Sequence, residues 1–424
     1  MMREAQQMKR SPRPEAPALL ALPLALLLAT GCAGGDGALR AAAGDDAEAD
    51  AGAHVGDADS SPAADADADA VDPDGGKKNQ NTPNQGDAGD ASPDAGEGPG
   101  DGGEDGGEGG EPSALCEAYA SAPDEPAKLQ DARLTGVSGI VASRRNPGIL
   151  WVHNDYAGLP TVFAVEAATG VTRGVLSAPD GDSAKNLEDI ALADCPAPAG
   201  DETCLWLADS GNNNRERTDL SVIVLSEPLL ATPWPEAPEA WTAARAWRFP
   251  FSYPSDSCDA EAFVVEPDGS AFYLLEKVDA DAARLFEARG PFADEVPVAL
   301  AEIGRLAAPR FILGGGFDLT PPLGLMMTGA DLHQSRARFA LRTYIGTFEY
   351  RFATDDWPRE LSGVEPAVVA WGPLSELQGE SVAYDASGVS LWTISEDKDQ
   401  QPGQGIHFYP CLDAAPAGSA AAGE

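Results

Sequence analysis

Positive charge is scarce in this sequence. Its 424 residues include 28 Lys and Arg against 69 Asp and Glu, which gives a formal net charge of −41. Nucleic acids and anionic membrane surfaces are bound by basic patches, so neither is expected as a partner. Cationic or neutral partners remain open.

Histidine and cysteine are also few, at four and six residues. No Cys-x-x-Cys pair is present, so a zinc cluster is not expected. Ser138 does not lie in a Gly-x-Ser-x-Gly elbow, which argues against a serine hydrolase. The glycines at 314–316 are followed by Phe317 and Asp318, where a phosphate-binding loop needs Lys and a hydroxyl residue.

Aromatic residues are missing from the stretch Ala33–Leu115, which has no Phe, Tyr or Trp. This stretch holds 21 acidic and three basic residues and is otherwise rich in Ala, Gly and Pro. Low hydrophobicity and charge repulsion leave too little burial to offset chain entropy. Residues 32–112 are therefore expected to form a disordered acidic stalk.

An N-terminal export signal precedes the stalk. Basic residues Lys9, Arg10 and Arg13 are followed by the apolar run Ala18–Ala29, which is too short to span a membrane. The sequence Leu28-Ala-Thr-Gly-Cys32-Ala resembles a bacterial lipobox, although Ala29 stands where Leu is usual. The resemblance implies a signal peptide over residues 1–31 and a lipid on Cys32, and hence an outer-membrane or cell-surface protein. An ordinary secretory signal is the alternative.

Five cysteines remain beyond Cys32, an odd number for an oxidising compartment. Cys195 and Cys204 flank a Pro/Gly loop between two strand-like runs, which favours a disulfide. Cys116 and Cys411 stand at the two ends of the expected domain, where a second bridge would close a ring-shaped fold. Cys258 is then left free.

Short apolar runs separated by Gly, Pro, Asp and Asn turns fill the chain from Leu134 onward, and all eight Trp lie there. This pattern predicts an all-β domain over residues 113–413, with a disordered tail at 414–424. One pattern recurs five times: a small or acidic residue, an apolar strand, a turn, and a second apolar strand ending in polar residues. The recurrences open at Ser138, Glu188, Glu261, Thr328 and Glu380.

Further strands follow each pair, so each unit resembles a four-stranded propeller blade. The count favours a β-propeller of five blades, with six as the alternative, closed by a strand from Ala127 to Leu134. Several segments are similar to uncharacterised bacterial exported propeller proteins, notably Trp151-Val-His-Asn-Asp155, Leu187-Glu-Asp-Ile-Ala191, Ala208-Asp-Ser-Gly-Asn-Asn213 and Gly379-Glu-Ser-Val382. The repeat distantly resembles phytase-like, lactonase and gluconolactonase propellers, several of which hold calcium in the channel.

The first strand of every blade lines the channel of a propeller, so the five opening residues should converge at one mouth. Three converging glutamates need a cation, a basic side chain or raised pKa values. Calcium, which prefers hard oxygen ligands, is the expected cofactor. Its expected ligands are Glu188, Asp189, Asp209, Glu261 and Glu380. The alternative is that the glutamates cap neighbouring backbone amides and bind nothing.

Polar residues at the ends of the second strands extend this site. The expected ligand-binding residues are Asn154, Asp155, Lys277, Arg342, Tyr344 and Glu396. The expected catalytic residues are His153 as general base, together with Glu188, Glu261 and Glu380. Two-glutamate glycosidase chemistry is a further possibility that the separation of the carboxylates would decide.

These features predict a lipid-anchored monomer with a calcium-bearing propeller channel that binds a small polar ligand and hydrolyses a phosphoester or lactone. The rival interpretation is a noncatalytic surface module that engages a protein or polysaccharide.

Overall fold

Short strands make up nearly all of the regular secondary structure among the described residues, as the frequent β-branched and aromatic residues predict. The computed structural model describes residues 116–123, 125–197, 202–313, 317–318, 320, 322–371, 376, 378–396 and 401–412. The expected signal peptide, Cys32, the stalk, the glycines at 314–316 and the C-terminal tail lie outside these residues. No helix among the described residues has the length and apolar character needed to cross a membrane.

The strands in chain order are β1 (Ala127–Lys128), β2 (Val137–Ala142), β3 (Ile149–Asn154), β4 (Thr161–Glu166), β5 (Thr172–Ser177), β6 (Asp189–Asp194), β7 (Thr203–Asp209), β8 (Ser221–Ser226), β9 (Glu239–Thr242), β10 (Ala246–Ser252), β11 (Ala260–Val265), β12 (Ala271–Glu276), β13 (Ala282–Arg289), β14 (Val298–Ala299), β15 (Ala301–Ala307), β16 (Ile312–Leu313), β17 (Phe317–Asp318), β18 (Met327–Leu332), β19 (Arg338–Thr343), β20 (Gly346–Arg351), β21 (Ala367–Trp371), β22 (Gly379–Tyr384), β23 (Leu391–Ser395) and β24 (Gly405–Tyr409). A short helix, α1 (Trp357–Glu360), and 3₁₀ turns at Pro322–Gly324 and Leu361–Gly363 complete the described elements.

Five antiparallel sheets form the five blades of a β-propeller, which confirms the predicted fold and blade number. In strand order from the channel outward, the blades are β2-β3-β4-β5, β6-β7-β8-β10, β11-β12-β13-β15, β18-β19-β20-β21 and β22-β23-β24-β1. β16 and β17 pair separately as a small hairpin. The fifth blade takes its outermost strand, β1, from the start of the domain, so β1 closes the ring.

The five innermost strands surround the channel, because β2, β6, β11, β18 and β22 each contact the innermost strands of both neighbouring blades. A separate apolar layer fills the space between each pair of adjacent blades. Between the second and third blades, for example, Trp206 and Phe249 pack on Phe263 and Phe272. Truncating one such buried aromatic residue to Ala typically costs about 3–5 kcal/mol.

Two outer strands pair outside their own repeat. β9 lies between β8 and β10 in the chain but pairs in parallel with β5 of the first blade. Similarly, β14 lies between β13 and β15 but pairs in parallel with β10 of the second blade. The connection before the last strand of one blade thus covers the outer edge of the preceding blade, which protects an edge that could otherwise pair with another chain.

Two disulfides join the same cysteine pairs that the sequence suggests. Cys116 is bonded to Cys411, next to the bridge between Tyr119 and Cys411, and this bond fastens the start of the domain to its end. Cys195 is bonded to Cys204 at the outer end of the β6–β7 hairpin. Cys258 is free and buried.

Removing the bond that closes the ring should destabilise the domain more than removing the bond within one hairpin. The Cys116–Cys411 bond spans 295 residues and the Cys195–Cys204 bond spans nine, so the first restricts the unfolded chain far more. The paired change of Cys116 and Cys411 to Ala should lower the free energy of unfolding in urea by about 2–5 kcal/mol. Changing Cys195 and Cys204 to Ala is the matched control, and an equal or larger loss there would contradict the expectation.

Candidate functional site

A β-bulge turns the opening residue of four of the blades towards one end of the channel. The pairing of the first two strands shifts register at Ser138, Glu261, Thr328 and Glu380. In the second blade, Glu188 directly precedes β6 and donates its N–H to Ala208, the pairing partner of Asp189. Because a bulge re-aims a side chain, the five residues predicted to converge occupy one repeated backbone geometry.

A second set of residues, which we call the rim positions, lies at the ends of the second strands of the same blades. The backbone N–H of a residue that follows the second strand donates a hydrogen bond to the carbonyl two residues before the opening residue. In the third blade, for example, Lys277 N–H donates to Asp259 O at 2.7 Å. Asp155 and Glu396 donate in the same way to Gly136 O and Gln378 O, and Gly211, two residues after β7, donates to Asn186 O at 3.3 Å. In the fourth blade, Tyr344 directly follows the second strand β19. These rim positions hold Asp155, Gly211, Lys277, Tyr344 and Glu396.

Four carboxylates converge inside the rim, and we call them the channel acids: Glu188, Asp259, Glu261 and Glu380. One carboxylate oxygen each from Glu188, Asp259 and Glu261 lies within 4.8 Å of the other two. All four residues are at most 5% exposed.

Lys277 supplies the positive charge nearest to the channel acids. Its Nζ donates a hydrogen bond to Glu261 Oε1 and lies 3.7 Å from Asp259 Oδ2 and 3.4 Å from the Tyr344 hydroxyl. Burial alone would lower the pKa of Lys277, but Glu261, Tyr344, Asp259 and Glu188 together outweigh that effect, and the pKa lies above its ordinary value. Lys277 therefore stays charged.

One ammonium does not neutralise four buried acids, and the pKa values of the three glutamates are raised. Burial raises the pKa of Glu261 to about 8, although Lys277 opposes the change. Burial, followed by repulsion from Glu261, raises the pKa of Glu188 and Glu380 well above the ordinary value. Without a further cation, the folded protein favours the protonated forms of these three glutamates.

Two oxygens of the channel acids have no hydrogen-bond partner. They are Oε2 of Glu261 and Oε2 of Glu380, and both are buried. Glu188, in contrast, accepts from Asn186 Nδ2 at 2.6 Å and from the Ser138 hydroxyl at 3.5 Å. A buried carboxylate oxygen without a donor is costly unless a proton or metal ion compensates it.

The rim positions surround this cluster with half-buried side chains. Burial raises the pKa of Asp155, whose Oδ1 is buried without a partner, and Lys277 partly offsets the effect. Burial and Glu380 raise the pKa of Tyr344. Glu396 accepts from Gln378 Nε2 at 3.5 Å and lies close enough to raise the pKa of Glu261 and Glu380. Of the sequence-derived candidates, Asp155, Lys277, Tyr344 and Glu396 thus lie together with the glutamates.

His153 lies apart from the channel acids. Its Nδ1 is 3.0 Å from Asn154 O, and its buried Nε2 has no hydrogen-bond partner. A Cβ atom on Gly139 would come within 2.2 Å of Nε2, so the ring fills the space left by that glycine. Burial lowers the pKa of His153 to about 4, which keeps the imidazole neutral.

Asp189 is buried among backbone amides. Its Oδ1 accepts from Ile190 N, and its Oδ2 accepts from Phe263 N and Ala330 N at 3.0 Å each. These amides belong to β6, β11 and β18, so one carboxylate links three innermost strands. Asp189 thus has the capping role that the sequence left open for the glutamates as the alternative to metal binding.

Asn154 and Asp209 are also engaged by the scaffold. Asn154 Oδ1 accepts from the amides of Thr135 and Gly136, and its Nδ2 donates to Arg133 O. Asp209 Oδ1 accepts from the amides of Lys185 and Asn186 and from Arg217 Nη2, in a 2.9 Å ion pair. Both side chains order the loops around the channel mouth.

Arg342 is fully buried, and its polar partners are Thr347 and Glu376. Its Nη1 donates to the Thr347 hydroxyl at 2.6 Å, and its Nη2 is 3.4 Å from Glu376 Oε2. The guanidinium lies against Gly379, where a Cβ atom would come within 2.0 Å of Nε. The structure therefore places Arg342 between the fourth and fifth blades rather than on the rim.

Two site residues were missed by reasoning from sequence. Asp259 joins the channel acids because it stands two residues before Glu261, and its Oδ1 accepts from Asn212 N at 2.6 Å. Gly211 holds the rim position of the second blade, where a Cβ atom would come within 1.8 Å of Glu188 Oε1. The position of Asp259, two residues before a repeat opening, was a signal that could have revealed it, whereas the longer β6–β7 hairpin hides the position of Gly211.

The known structures that resemble this chain do so at low sequence identity. No protein-family model and no curated protein matches the chain. Distant structural neighbours include a gluconolactonase from Xanthomonas campestris, 10% identical, with a TM-score of 0.34 over 70% of this chain and 98% of that one. Another is a candidate 6-phosphogluconolactonase from Bacteroides uniformis, at 12% identity, a TM-score of 0.29, and coverage of 66% and 73%.

A third neighbour is Raptor from Chaetomium thermophilum, at 11% identity and a TM-score of 0.36, covering 71% of this chain and 30% of that one. All three likenesses are too distant to carry a function to this chain. The structure of this chain defines its class, which is a five-bladed β-propeller with a buried acidic cluster at one mouth of its channel.

The raised pKa values predict how stability depends on pH when a chelator is present. The folded-state pKa of Glu261, about 8, lies above its ordinary 4.5, so the folded state binds more protons than the unfolded chain in this interval. The free energy of unfolding should therefore fall as the pH rises from about 5 to 8. Glu261→Gln should make this decline shallower in urea unfolding measured across that range.

The exposed Glu302, which pairs with Arg305 on β15, provides the control variant Glu302→Gln. That variant should keep the slope of the wild-type protein. A Glu261→Gln protein with an unchanged slope would contradict the expectation.

Proposed function

We propose that this protein is an exported, lipid-anchored β-propeller that binds one calcium ion and a small polar ligand at the acidic mouth of its channel. The observation that carries the proposal is the approach of three buried carboxylates within 4.8 Å, from Glu188, Asp259 and Glu261. Calcium takes six to eight oxygen ligands, and carboxylates are its usual protein ligands. The unpartnered oxygens of Glu261 and Glu380 support the same choice.

The half-buried rim would hold the ligand. Lys277 Nζ and the Tyr344 hydroxyl are 3.4 Å apart and can both donate to one anionic oxygen. Asp155 and Glu396 can accept from hydroxyl groups on the same ligand. This combination suits a small molecule that carries both an acidic or ester oxygen and hydroxyls.

We further propose that the site hydrolyses a phosphoester or a lactone. A bound calcium ion would polarise the bond that is cleaved. Glu380, whose Oε2 has no hydrogen-bond partner, would take the proton of the attacking water and pass it to the leaving oxygen. Lys277 and Tyr344 would stabilise the developing negative charge. His153 is a poorer choice of base, because its free nitrogen faces Gly139.

The position of His153 favours a second candidate function, a noncatalytic surface module that binds a protein or polysaccharide. Under either function, Cys32 would carry the lipid that attaches the protein to the outer membrane or cell surface. The acidic stalk would then act as a spacer for a monomeric propeller. The net charge of −41 makes nucleic acid an improbable partner for both.

Calcium binding can be measured by titration calorimetry on the purified full-length protein. The wild-type protein should bind one ion, and Glu261→Gln should weaken binding at least tenfold, about 1.4 kcal/mol, because one charged ligand is lost. Glu302→Gln, on the exposed face of β15, should bind like the wild type. Absence of binding heat in the wild-type protein would remove the metal site.

The enzymatic part can be tested by assaying phosphate esters, lactones and glycosides with and without chelator. At least one phosphate ester or lactone should be hydrolysed, the chelator should abolish turnover, and Glu380→Gln should reduce kcat by at least about 100-fold. Glu302→Gln again serves as the control. If no compound is turned over although calcium binds, the noncatalytic module replaces the enzyme.

A further inference from the structure

We propose that Lys277 is a tethered competitor for the metal ion, so that its ammonium group limits how tightly the channel acids bind a divalent cation. This inference rests on the proposed calcium site and names the residue that sets its affinity. The ammonium and the metal ion would use the same carboxylates.

The contacts of Lys277 place its charge among the candidate metal ligands. Nζ is hydrogen-bonded to Glu261 Oε1 and lies 3.7 Å from Asp259 Oδ2. Glu261 and Asp259 are two of the three residues whose oxygens approach within 4.8 Å, together with Glu188. The Lys277 side chain is only 13% exposed, so solvent screens its charge weakly.

Lys277 does not supply hydrogen bonds to all the buried oxygens of the channel acids. It bonds one oxygen of Glu261, while Oε2 of Glu261 and Oε2 of Glu380 remain buried without a partner. The residues whose charges act most strongly on Glu380 are Glu261, Lys277 and Glu188, so this carboxylate faces the same centre. The ammonium therefore occupies part of a site that still has free, hard oxygen donors for a metal ion.

Lys277 reaches the channel acids because it occupies one of the five rim positions. The five rim positions hold Asp155, Gly211, Lys277, Tyr344 and Glu396, and Lys277 is the single basic residue among them. Like charges a few ångströms apart repel strongly where water is scarce. A divalent cation that approaches Glu261 must therefore displace Nζ, whose other hydrogen-bond partner is the Tyr344 hydroxyl on the half-buried rim.

Titration calorimetry with calcium chloride tests this directly on the full-length protein. Lys277→Met removes the charge and keeps an unbranched side chain, so it should bind calcium at least tenfold more tightly than the wild-type protein. Lys128→Met makes the same change on the exposed strand β1 and should bind like the wild type. Lys277→Arg, which keeps the charge, should not gain affinity.

A gain in affinity is not a result that damage to the fold would produce. If Lys277→Met unfolds, as judged by circular dichroism, Lys277→Gln is measured in its place with the same expectation. Equal or weaker calcium binding by the folded, uncharged variant would overturn the inference while leaving the calcium site in place. Binding by the uncharged variant alone would support the inference and contradict calcium binding by the wild-type protein. No binding by either would overturn both.

Discussion

Buried negative charge that lacks enough positive charge is the constraint on which the functional site depends. Glu188, Asp259, Glu261 and Glu380 come from three blades and are almost completely buried. Lys277 is the basic side chain bonded to them, and it bonds one oxygen of Glu261. Such a cluster is stable only with protons or a cation added, and raised pKa values are its expected signature without a metal ion.

The propeller fold is what brings these acids together. Four of the five innermost strands begin with an irregularity that turns the opening residue towards the same end of the channel. Apolar layers between the blades and the closing strand β1 hold the five strands in their ring. Because the channel acids come from three different blades, the position of the cluster depends on the ring rather than on one loop.

Buried acids elsewhere in the ring show how the scaffold supplies hydrogen bonds to a carboxylate that has a structural role. Asp189 accepts three backbone amides, and Glu227 accepts from the Ser143 hydroxyl and from Trp151 Nε1 at 2.9 Å. Asp209 has both backbone amides and Arg217. Against this background, the unpartnered oxygens of Glu261 and Glu380 differ from the structural acids of the same protein.

The sequence was sufficient for the blades but only partly for the site. Alternating apolar runs and turn residues predicted the hairpins, and the fivefold repeat predicted that Glu188, Glu261 and Glu380 would converge. Side-chain direction was harder to predict, because it depends on strand register and local bulges. Arg342 lies two residues before Tyr344, the rim position of its blade, and its side chain points between two blades towards Glu376.

The partners that hold His153 and Asp189 lie on neighbouring strands, so their scaffold roles were not visible in the local sequence. The exchanged strands β9 and β14 were missed for the same reason, because they pair with a different blade from the one in which their chain segment begins.

The account is tested most directly by a crystal structure of the protein soaked with terbium, an anomalous scatterer that replaces calcium. An anomalous peak should lie between the carboxylates of Glu188, Asp259 and Glu261, with Lys277 Nζ moved away from Glu261. A peak at another place on the protein, or these carboxylates pointing away from one another, would contradict the account.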